Sequence, residues 1–170
     1  MRKTVSIYVV LCVAAVCVGA FWIRRQSTPP TDAALVKQFY AHRNDFDELR
    51  AMLQEDSNIS EVAAYGVGTT NPDEIGPMTP QQAGLSKTRY DEYLATLKDA
   101  GAILAVHHPA EYYFLVRRSG FAGGGWGVAV VSRATVPTNQ LASVDEYFAA
   151  HNFSDGAYRR IEGDWYLWVR

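Results

Sequence analysis

The four histidines are the residues of this chain best suited to bind a metal, and their spacing argues against such a site. His107 and His108 are neighbours at a predicted strand, so their side chains point to opposite faces of a sheet. His42 and His151 each lack a second histidine or cysteine three or four residues further on, where two side chains share one helix face. The sequence therefore predicts ordinary histidines and no metal site.

The glycine-rich run at 123–127 (GGGWG) has the composition of a loop that binds phosphate. Such a loop has to begin a helix, because the free N–H groups and the dipole of the helix N-terminus hold the anion. The residues that follow here, Trp126 to Arg133, predict a strand, and the Lys-Ser/Thr pair of phosphate loops is missing. We therefore predict a flexible hairpin loop at this position.

The sequence contains few candidate residues for covalent or acid–base catalysis. The only cysteines, Cys12 and Cys17, lie inside an apolar run, and no G-x-S-x-G or H-E-x-x-H motif is present. The acidic residues occupy positions typical of helix caps and solvated helix faces. No catalytic residue and no cofactor is predicted. Because the members of a catalytic triad need not be close in sequence, a metal-free hydrolase stays open as an alternative.

Aromatic side chains are the remaining candidates for function. Phe, Trp and Tyr make up 12% of the chain and concentrate in the predicted strands. Most of them are expected in the core, although binding surfaces are also enriched in aromatic residues. The residues that we select as candidates for a binding surface are Tyr113, Trp126, Tyr166 and Trp168.

Two main helices and a short third are predicted. The first is capped by Thr31 and continues for roughly 25 residues, over which apolar side chains recur at helical spacing. Its apolar stripe comprises Leu35, Phe39, Phe46, Leu49 and Leu53, with His42 between the two phenylalanines. The second helix follows the cap Ser86 and ends at Gly101. Ser143 and Glu146 predict a capping box for the third, which runs from Val144 to His151.

The rest of the chain predicts strands. They are Glu61–Val67, Ala102–His107, Glu111–Arg118, Trp126–Arg133, Ala157–Glu162 and Trp165–Arg170, with a long polar loop at Gly68–Gly84 and a linker at Ser119–Gly125. Gly163-Asp164 fits a type II′ turn between the last two. Helices followed by paired strands predict an α+β domain with an antiparallel sheet that ends in a hairpin. Apolar residues on both sheet faces predict that the second face is covered by a helix, the long loop or a partner.

The start of the chain predicts a membrane anchor. Val5 to Ile23 carries no charge and covers roughly 28 Å as a helix, about the thickness of a bilayer core. A cleaved signal peptide is the alternative, since Val18-Gly19-Ala20 fits a cleavage site. We interpret residues 1–26 as the anchor, 27–31 as a linker and 32–170 as one α+β domain. With the basic start kept inside, the domain faces the periplasm from the inner membrane.

Charge excludes one class of partner. The chain from residue 27 onward contains 12 Lys and Arg against 18 Asp and Glu, a net charge of −6. A nucleic-acid surface is basic, so no nucleic acid is expected as a partner. The expected partners are the bilayer, through residues 5–23, and an envelope protein. The acidic charge also leaves open an immunity-type protein that neutralises a basic partner.

Short motifs in this sequence resemble a known group of proteins. They are the stretch Phe46-Asp47-Glu48-Leu49 with the following Glu55-Asp56, and the ending Tyr158 to Leu167 (YRRIEGDWYL). Both are similar to small uncharacterised membrane-anchored proteins of Gram-negative bacteria. That resemblance implies a location at the envelope and no activity. The sequence as a whole predicts a membrane-anchored binding or interaction module.

Overall fold

The computed structural model describes residues 28–74, 76–121, 124–150 and 156–170. Its helices are α1 (Asp32–Ala41), α2 (Arg43–Glu55), α3 (Lys87–Ala100) and α4 (Val144–Ala149). Its strands are β1 (Ile59–Ala63), β2 (Gly66–Thr69), β3 (Leu104–His108), β4 (Glu111–Phe121), β5 (Gly124–Arg133), β6 (Ala157–Glu162) and β7 (Trp165–Val169). The predicted α+β class is confirmed. The predicted anchor at 5–23 and His151 lie outside the described residues, among which no helix is long and apolar enough to cross a bilayer.

One antiparallel sheet contains all seven described strands, in the order β2-β1-β3-β4-β5-β7-β6. Both outer strands have a further partner. On β2, Val67 exchanges two backbone hydrogen bonds with Met78, at 3.0 and 2.8 Å. On β6, the backbone of Tyr158 bonds to Asn139 (3.0 Å) and Leu141 (2.7 Å). The loops that contain Met78 and Leu141 therefore pair with the two outer strands.

The main core lies between the described helices and one face of the sheet. Its largest fully buried side chains are Phe39, Phe46, Leu49, Leu53, Tyr93, Phe114, Trp165 and Leu167. Trp165 is central: its ring centroid lies 5.6 Å from that of Phe39 and 6.1 Å from that of Phe114. The guanidinium carbons of Arg43 and Arg50 lie 4.9 and 5.0 Å from the Trp165 ring. The burial expected for the apolar stripe is thus present.

The first predicted helix is divided in two, which corrects the single helix expected over this stretch. His42 has φ −122° and ψ 24°, outside the helical region, and its N–H is shared between the carbonyls of Gln38 and Phe39. Its own carbonyl begins α2 by accepting from Phe46 N–H at 3.1 Å. Seven residues separate Phe39 from Phe46, close to two helical turns, so the apolar spacing continues across the break and does not reveal it.

One segment expected to be a single strand forms a hairpin, and the strands on either side of the predicted hairpin loop are longer than expected. The predicted strand Glu61–Val67 contains a tight turn, and Ala63 pairs with Gly66 across it. Gly66 has φ +146°, and a Cβ there would lie 2.7 Å from the carbonyl oxygen of Met78. The predicted linker Ser119–Gly125 is largely paired, because β4 continues to Phe121 and β5 begins at Gly124. Alternation over residues 61–67 was too short to show the first hairpin, and the glycines at 123–125 concealed the length of the strands in the second.

The predicted cap residues are confirmed, whereas the bonding expected between Ser143 and Glu146 in a capping box is replaced by a bond from Asp145 N–H to Ser143. Ser86 Oγ accepts from Arg89 N–H at 3.1 Å, and Gly101 ends α3 with φ +67°. Ser143 Oγ caps the short helix α4, which ends at Ala149, by accepting from Asp145 N–H. In addition, Asp145 accepts from the backbone N–H of Asp32 (2.9 Å), and Asp32 accepts from that of Val144 (3.1 Å). The N-termini of α1 and α4 thus cap each other.

Candidate functional site

The sheet has a second face, on the side away from the main core. Successive side chains of a strand alternate between the two faces of the sheet. The pairing registers align the side chains that point away from the main core into rows across β3–β7. Leu115, Ala129, Val131 and Tyr166 belong to this set; they are buried but stand outside the helix-covered core. We define the concave face as this side of the sheet, with its polar and aromatic side chains Glu61, Tyr113, Trp168, Tyr158, Glu111, Arg118, Arg133, Arg160 and Arg170.

Contacts between distant strands show that the sheet curves toward this face. The hydroxyl of Tyr158 on β6 donates to Glu111 Oε2 on β4 at 3.3 Å, although two strands lie between them. In a flat sheet three strand spacings amount to roughly 14 Å. Tyr158 and Glu111 also lie in different rows along their strands, so their side chains could not meet if the sheet were flat. Arg133 joins the group, with its Nη1 3.4 Å from Glu111 and its guanidinium carbon 4.8 Å from the Tyr158 ring. These side chains lie across the face and cover Val131 and Tyr166.

Trp168 lies at the centre of the concave face, between two glycines. A Cβ on Gly156 would lie 2.5 Å from the indole Nε1, and one on Gly127 would lie 3.9 Å from Cζ3. The indole therefore reaches across β7, from β5 toward the residue that precedes β6. Tyr113 meets it edge to face, with ring centroids 5.2 Å apart and planes at 73°. Both rings are half-buried.

The structure brings together three of the four aromatic candidates. Tyr113, Tyr166 and Trp168 share the concave face, where Tyr166 is the most enclosed, at 2% exposed. Trp126 lies on the helix-covered face instead and is 8% exposed. Its ring meets that of Phe148 edge to face at 5.7 Å, so Trp126 offers little surface to a partner. Sequence reasoning did not single out Glu111 and Arg133, which meet through the β4–β5 register, or Tyr158, whose contact with them depends on sheet curvature.

Tyr113 and Tyr158 on this face keep their phenolic protons at neutral pH. Burial raises the pKa of Tyr113 well above its ordinary value. Burial also raises the pKa of Tyr158, and the nearby carboxylate of Glu111 adds to the effect. At the β1–β2 turn, the hydrogen bond to Glu61 raises the pKa of Tyr65 to about 12. None of these hydroxyls is prepared to act as a base or nucleophile near neutral pH.

The concave face is more basic than the domain that carries it. Four arginines and two glutamates project from it among the described residues: Arg118, Arg133, Arg160, Arg170, Glu61 and Glu111. Arg133 is paired with Glu111. Arg118 and Arg170 have no carboxylate within ion-pair distance in the part of the chain that the structure describes. A positively charged face thus belongs to a domain of net charge −6.

A polar pocket of about 250 Å³ lies at one end of this face and includes Glu111, Arg133 and His108. Its inner wall contains Ser132, whose hydroxyl donates to Asp164 at 3.0 Å and accepts from Arg50 at 3.0 Å. Arg50 also binds Asp164 directly, at 2.8 Å. Ser132 is buried and its hydroxyl is engaged on both sides, so it is not placed to attack a substrate. These contacts tie α2 to the β6–β7 turn.

The described histidines are dispersed. His107 stacks on Tyr112 on the helix-covered side, with ring centroids 4.9 Å apart, and His108 is exposed. His42 contacts its neighbour Asp45 at 3.1 Å. Among residues 28–74, 76–121, 124–150 and 156–170, no three His, Cys, Asp or Glu side chains are grouped so as to hold a metal ion.

An apolar pocket of about 450 Å³ opens beside α3, away from the concave face. It is lined by Leu94, Leu97, Ala102 and Ile103, with Lys98 at its rim. Ile103 is 48% exposed, which is unusual for a large apolar side chain in this domain.

Comparison with known proteins adds no assignment. No family model, no curated protein and no solved structure matches this chain.

Proposed function

We propose that this protein is a membrane-anchored binding module of the bacterial envelope, with the concave face as its contact surface. The observation that carries the proposal is the position of Trp168. It is half-buried against Tyr113 on a face that no described helix covers, and glycine backbone makes room for its indole. Tryptophan, tyrosine and arginine are the residues that contribute most to protein interfaces, and all three meet here.

The anchor is the second part of the proposal. The uncharged run Val5 to Ile23 spans the inner membrane, and the domain from residue 27 lies in the periplasm. The resemblance of the 46–56 and 158–167 motifs to small membrane-anchored proteins of Gram-negative bacteria supports the same location. Binding by a tethered domain fits a face on which the described residues supply aromatic and charged groups and no activated nucleophile.

Topology can be tested with two fusions to the end of the chain. Alkaline phosphatase, which folds actively only outside the cytoplasm, should be active after Arg170. A fluorescent protein that matures only in the cytoplasm should be dark at the same position. The reverse pattern would place the domain in the cytoplasm. An N-terminus at Phe21 in the mature protein would show cleavage of the anchor.

Binding can be tested by crosslinking in intact cells that express the full chain. Trp168→Ala should abolish the crosslinked species that the native chain forms. Arg118→Glu should weaken it as well, and because Arg118 is exposed and unpaired this change leaves the fold intact. Tyr40→Ala is the matched control: Tyr40 is 52% exposed on α1, on the other side of the sheet.

The expected pattern is loss with Trp168→Ala and Arg118→Glu and no loss with Tyr40→Ala. Circular dichroism of each purified variant reports whether the fold is kept. If Arg118→Glu and a folded Trp168→Ala both retain the native crosslinks, the concave face is not the contact surface. If Tyr40→Ala alone removes them, the helical side binds the partner.

A further inference from the structure

Charge is distributed unevenly between the two sides of this domain. The concave face carries more arginine than glutamate, whereas the chain from residue 27 as a whole has six more acidic than basic residues. The excess of negative charge therefore lies on the helical side and the loops. If acidic residues covered the whole surface evenly, their charge would aid solubility but would not direct a partner to one side. A basic face kept within an acidic domain instead attracts an anionic partner to one side.

The positions of the arginines narrow the choice of partner. Arg118 and Arg170 lie in one row at the end of the face beyond Trp168, joined through Gly127, which pairs with both of their strands. Arg160 stands at the β6 side, where its guanidinium contacts only the carbonyl of Gly163 (3.1–3.2 Å) among described groups. The cations thus surround the half-buried rings of Tyr113 and Trp168. An aromatic centre with a charged rim is the arrangement typical of protein interfaces.

The area of the concave face indicates what kind of partner it can hold. Five strands at roughly 4.8 Å spacing and four rows at roughly 6.8 Å spacing give a surface of about 650 Å². A stable interface between two proteins buries about 800 Å² on each partner. The concave face is therefore large enough for an extended segment of a chain and somewhat smaller than the standard interface between two folded proteins.

We infer that the concave face binds an acidic polypeptide segment, whose carboxylates pair with Arg118, Arg160 and Arg170 while an apolar side chain packs on Tyr113 and Trp168. This inference rests on the proposed function and adds the chemistry of the partner. It differs from the alternative left open by the net charge, an immunity-type protein with a basic partner. Pairing of two copies through this face is disfavoured, because each copy would present a face with more arginine than glutamate to the other.

The test uses the full chain in detergent and a fluorescein-labelled poly-L-glutamate of 20 residues, followed by fluorescence anisotropy at pH 7. Binding should be measurable in 20 mM salt and should be lost in 300 mM salt, because the exposed ion pairs are screened. The double variant Arg118→Gln/Arg170→Gln should weaken binding about tenfold in low salt. The control Lys37→Gln/Lys98→Gln removes the same charge from the exposed helical side and should change binding less than twofold.

Each other outcome overturns the inference in a distinct way. If poly-L-glutamate does not bind while Trp168→Ala still removes the cellular crosslink, the face binds a partner that is not acidic. If the lysine and arginine variants weaken binding equally, the peptide is held by general charge and not by this face.

Three further measurements distinguish an acidic peptide from other anionic partners of the concave face. Polygalacturonate stands for a carboxylated glycan, and vesicles with one third phosphatidylglycerol stand for a lipid surface. If either binds through Arg118 and Arg170 and poly-L-glutamate does not, the peptide assignment is wrong. Sedimentation of the chain alone tests for a head-to-tail contact with the acidic side of a second copy. Self-association that the arginine variant abolishes would make a second copy the occupant.

Discussion

Trp168 owes its place on the concave face to the absence of a side chain at Gly156. A methyl group there would come within 2.5 Å of Nε1 and 2.8 Å of Cε2, closer than non-bonded atoms approach. The indole would have to turn away, and its contact with Tyr113 would be lost. The exposed rim of the face, by contrast, would keep its arginines. Gly156 is thus a determinant of the aromatic centre alone.

We predict that Gly156→Ala lowers the free energy of unfolding by roughly 1–3 kcal/mol, because a new group is forced into a packed site. The near-ultraviolet circular dichroism of the tryptophans should change with it. Gly127→Ala is the matched control, since its Cβ would meet neighbours at 3.7–3.9 Å, an ordinary contact distance. Equal effects from both substitutions would mean that strand flexibility, and not the position of the indole, is responsible.

Phe46 illustrates the opposite case, a residue whose role follows from the sequence. It is fully buried and contacts the rings of Phe39, Phe114 and Trp165 at 5.8–6.3 Å. Phe46→Ala should lower the free energy of unfolding by roughly 3–5 kcal/mol in urea denaturation. Tyr40→Ala, on a ring that is 52% exposed, should cost less than about 1 kcal/mol. A small effect at Phe46 would contradict the packing described for α2.

The β6–β7 hairpin depends on one backbone conformation. Gly163 has φ +52°, and nothing lies within 4 Å of the position of a Cβ there. The backbone conformation alone therefore decides which residue types this position tolerates. Gly163→Val should destabilise the domain by about 1–3 kcal/mol, because a β-branched residue is strained in this region. Gly163→Asn should cost clearly less, since asparagine adopts it more readily. Thermal unfolding followed by circular dichroism distinguishes the two; similar losses would show that the turn tolerates no side chain.

Elements with a local chemical signal are those that the sequence predicts correctly. The caps Thr31 and Ser86, the terminating Gly101 and the turn at Gly163 each act within a few residues. The break at His42 and the β1–β2 hairpin were missed because neither carries a distinctive residue pattern. The concave face was predicted only in part: three aromatic residues were identified, but Glu111, Arg133 and Tyr158 are 22 to 47 residues apart, and Tyr158 reaches the other two only through sheet curvature.

The whole domain should lose stability at alkaline pH. Burial raises the pKa of Tyr113 and of Tyr158 above the value of about 10 that an unfolded chain has. The contribution of these two tyrosines to the free energy of unfolding is therefore fully present below pH 10. It is lost as the pH rises toward their pKa values in the folded protein, because the unfolded chain releases these protons first. The urea midpoint should fall between pH 9 and pH 11, and Tyr113→Phe should reduce that fall. A midpoint unchanged over this interval would contradict the burial of these hydroxyls.

The paired outer strands have a consequence for how this protein behaves in crowded surroundings. A free strand edge is a template on which another chain, native or misfolded, adds its own backbone and begins a fibril. Here Met78 occupies the hydrogen-bonding groups of Val67 on one side, and Asn139 and Leu141 occupy those of Tyr158 on the other. At these two positions another chain therefore finds no free backbone group on which to continue the sheet, and its contacts there are limited to side chains.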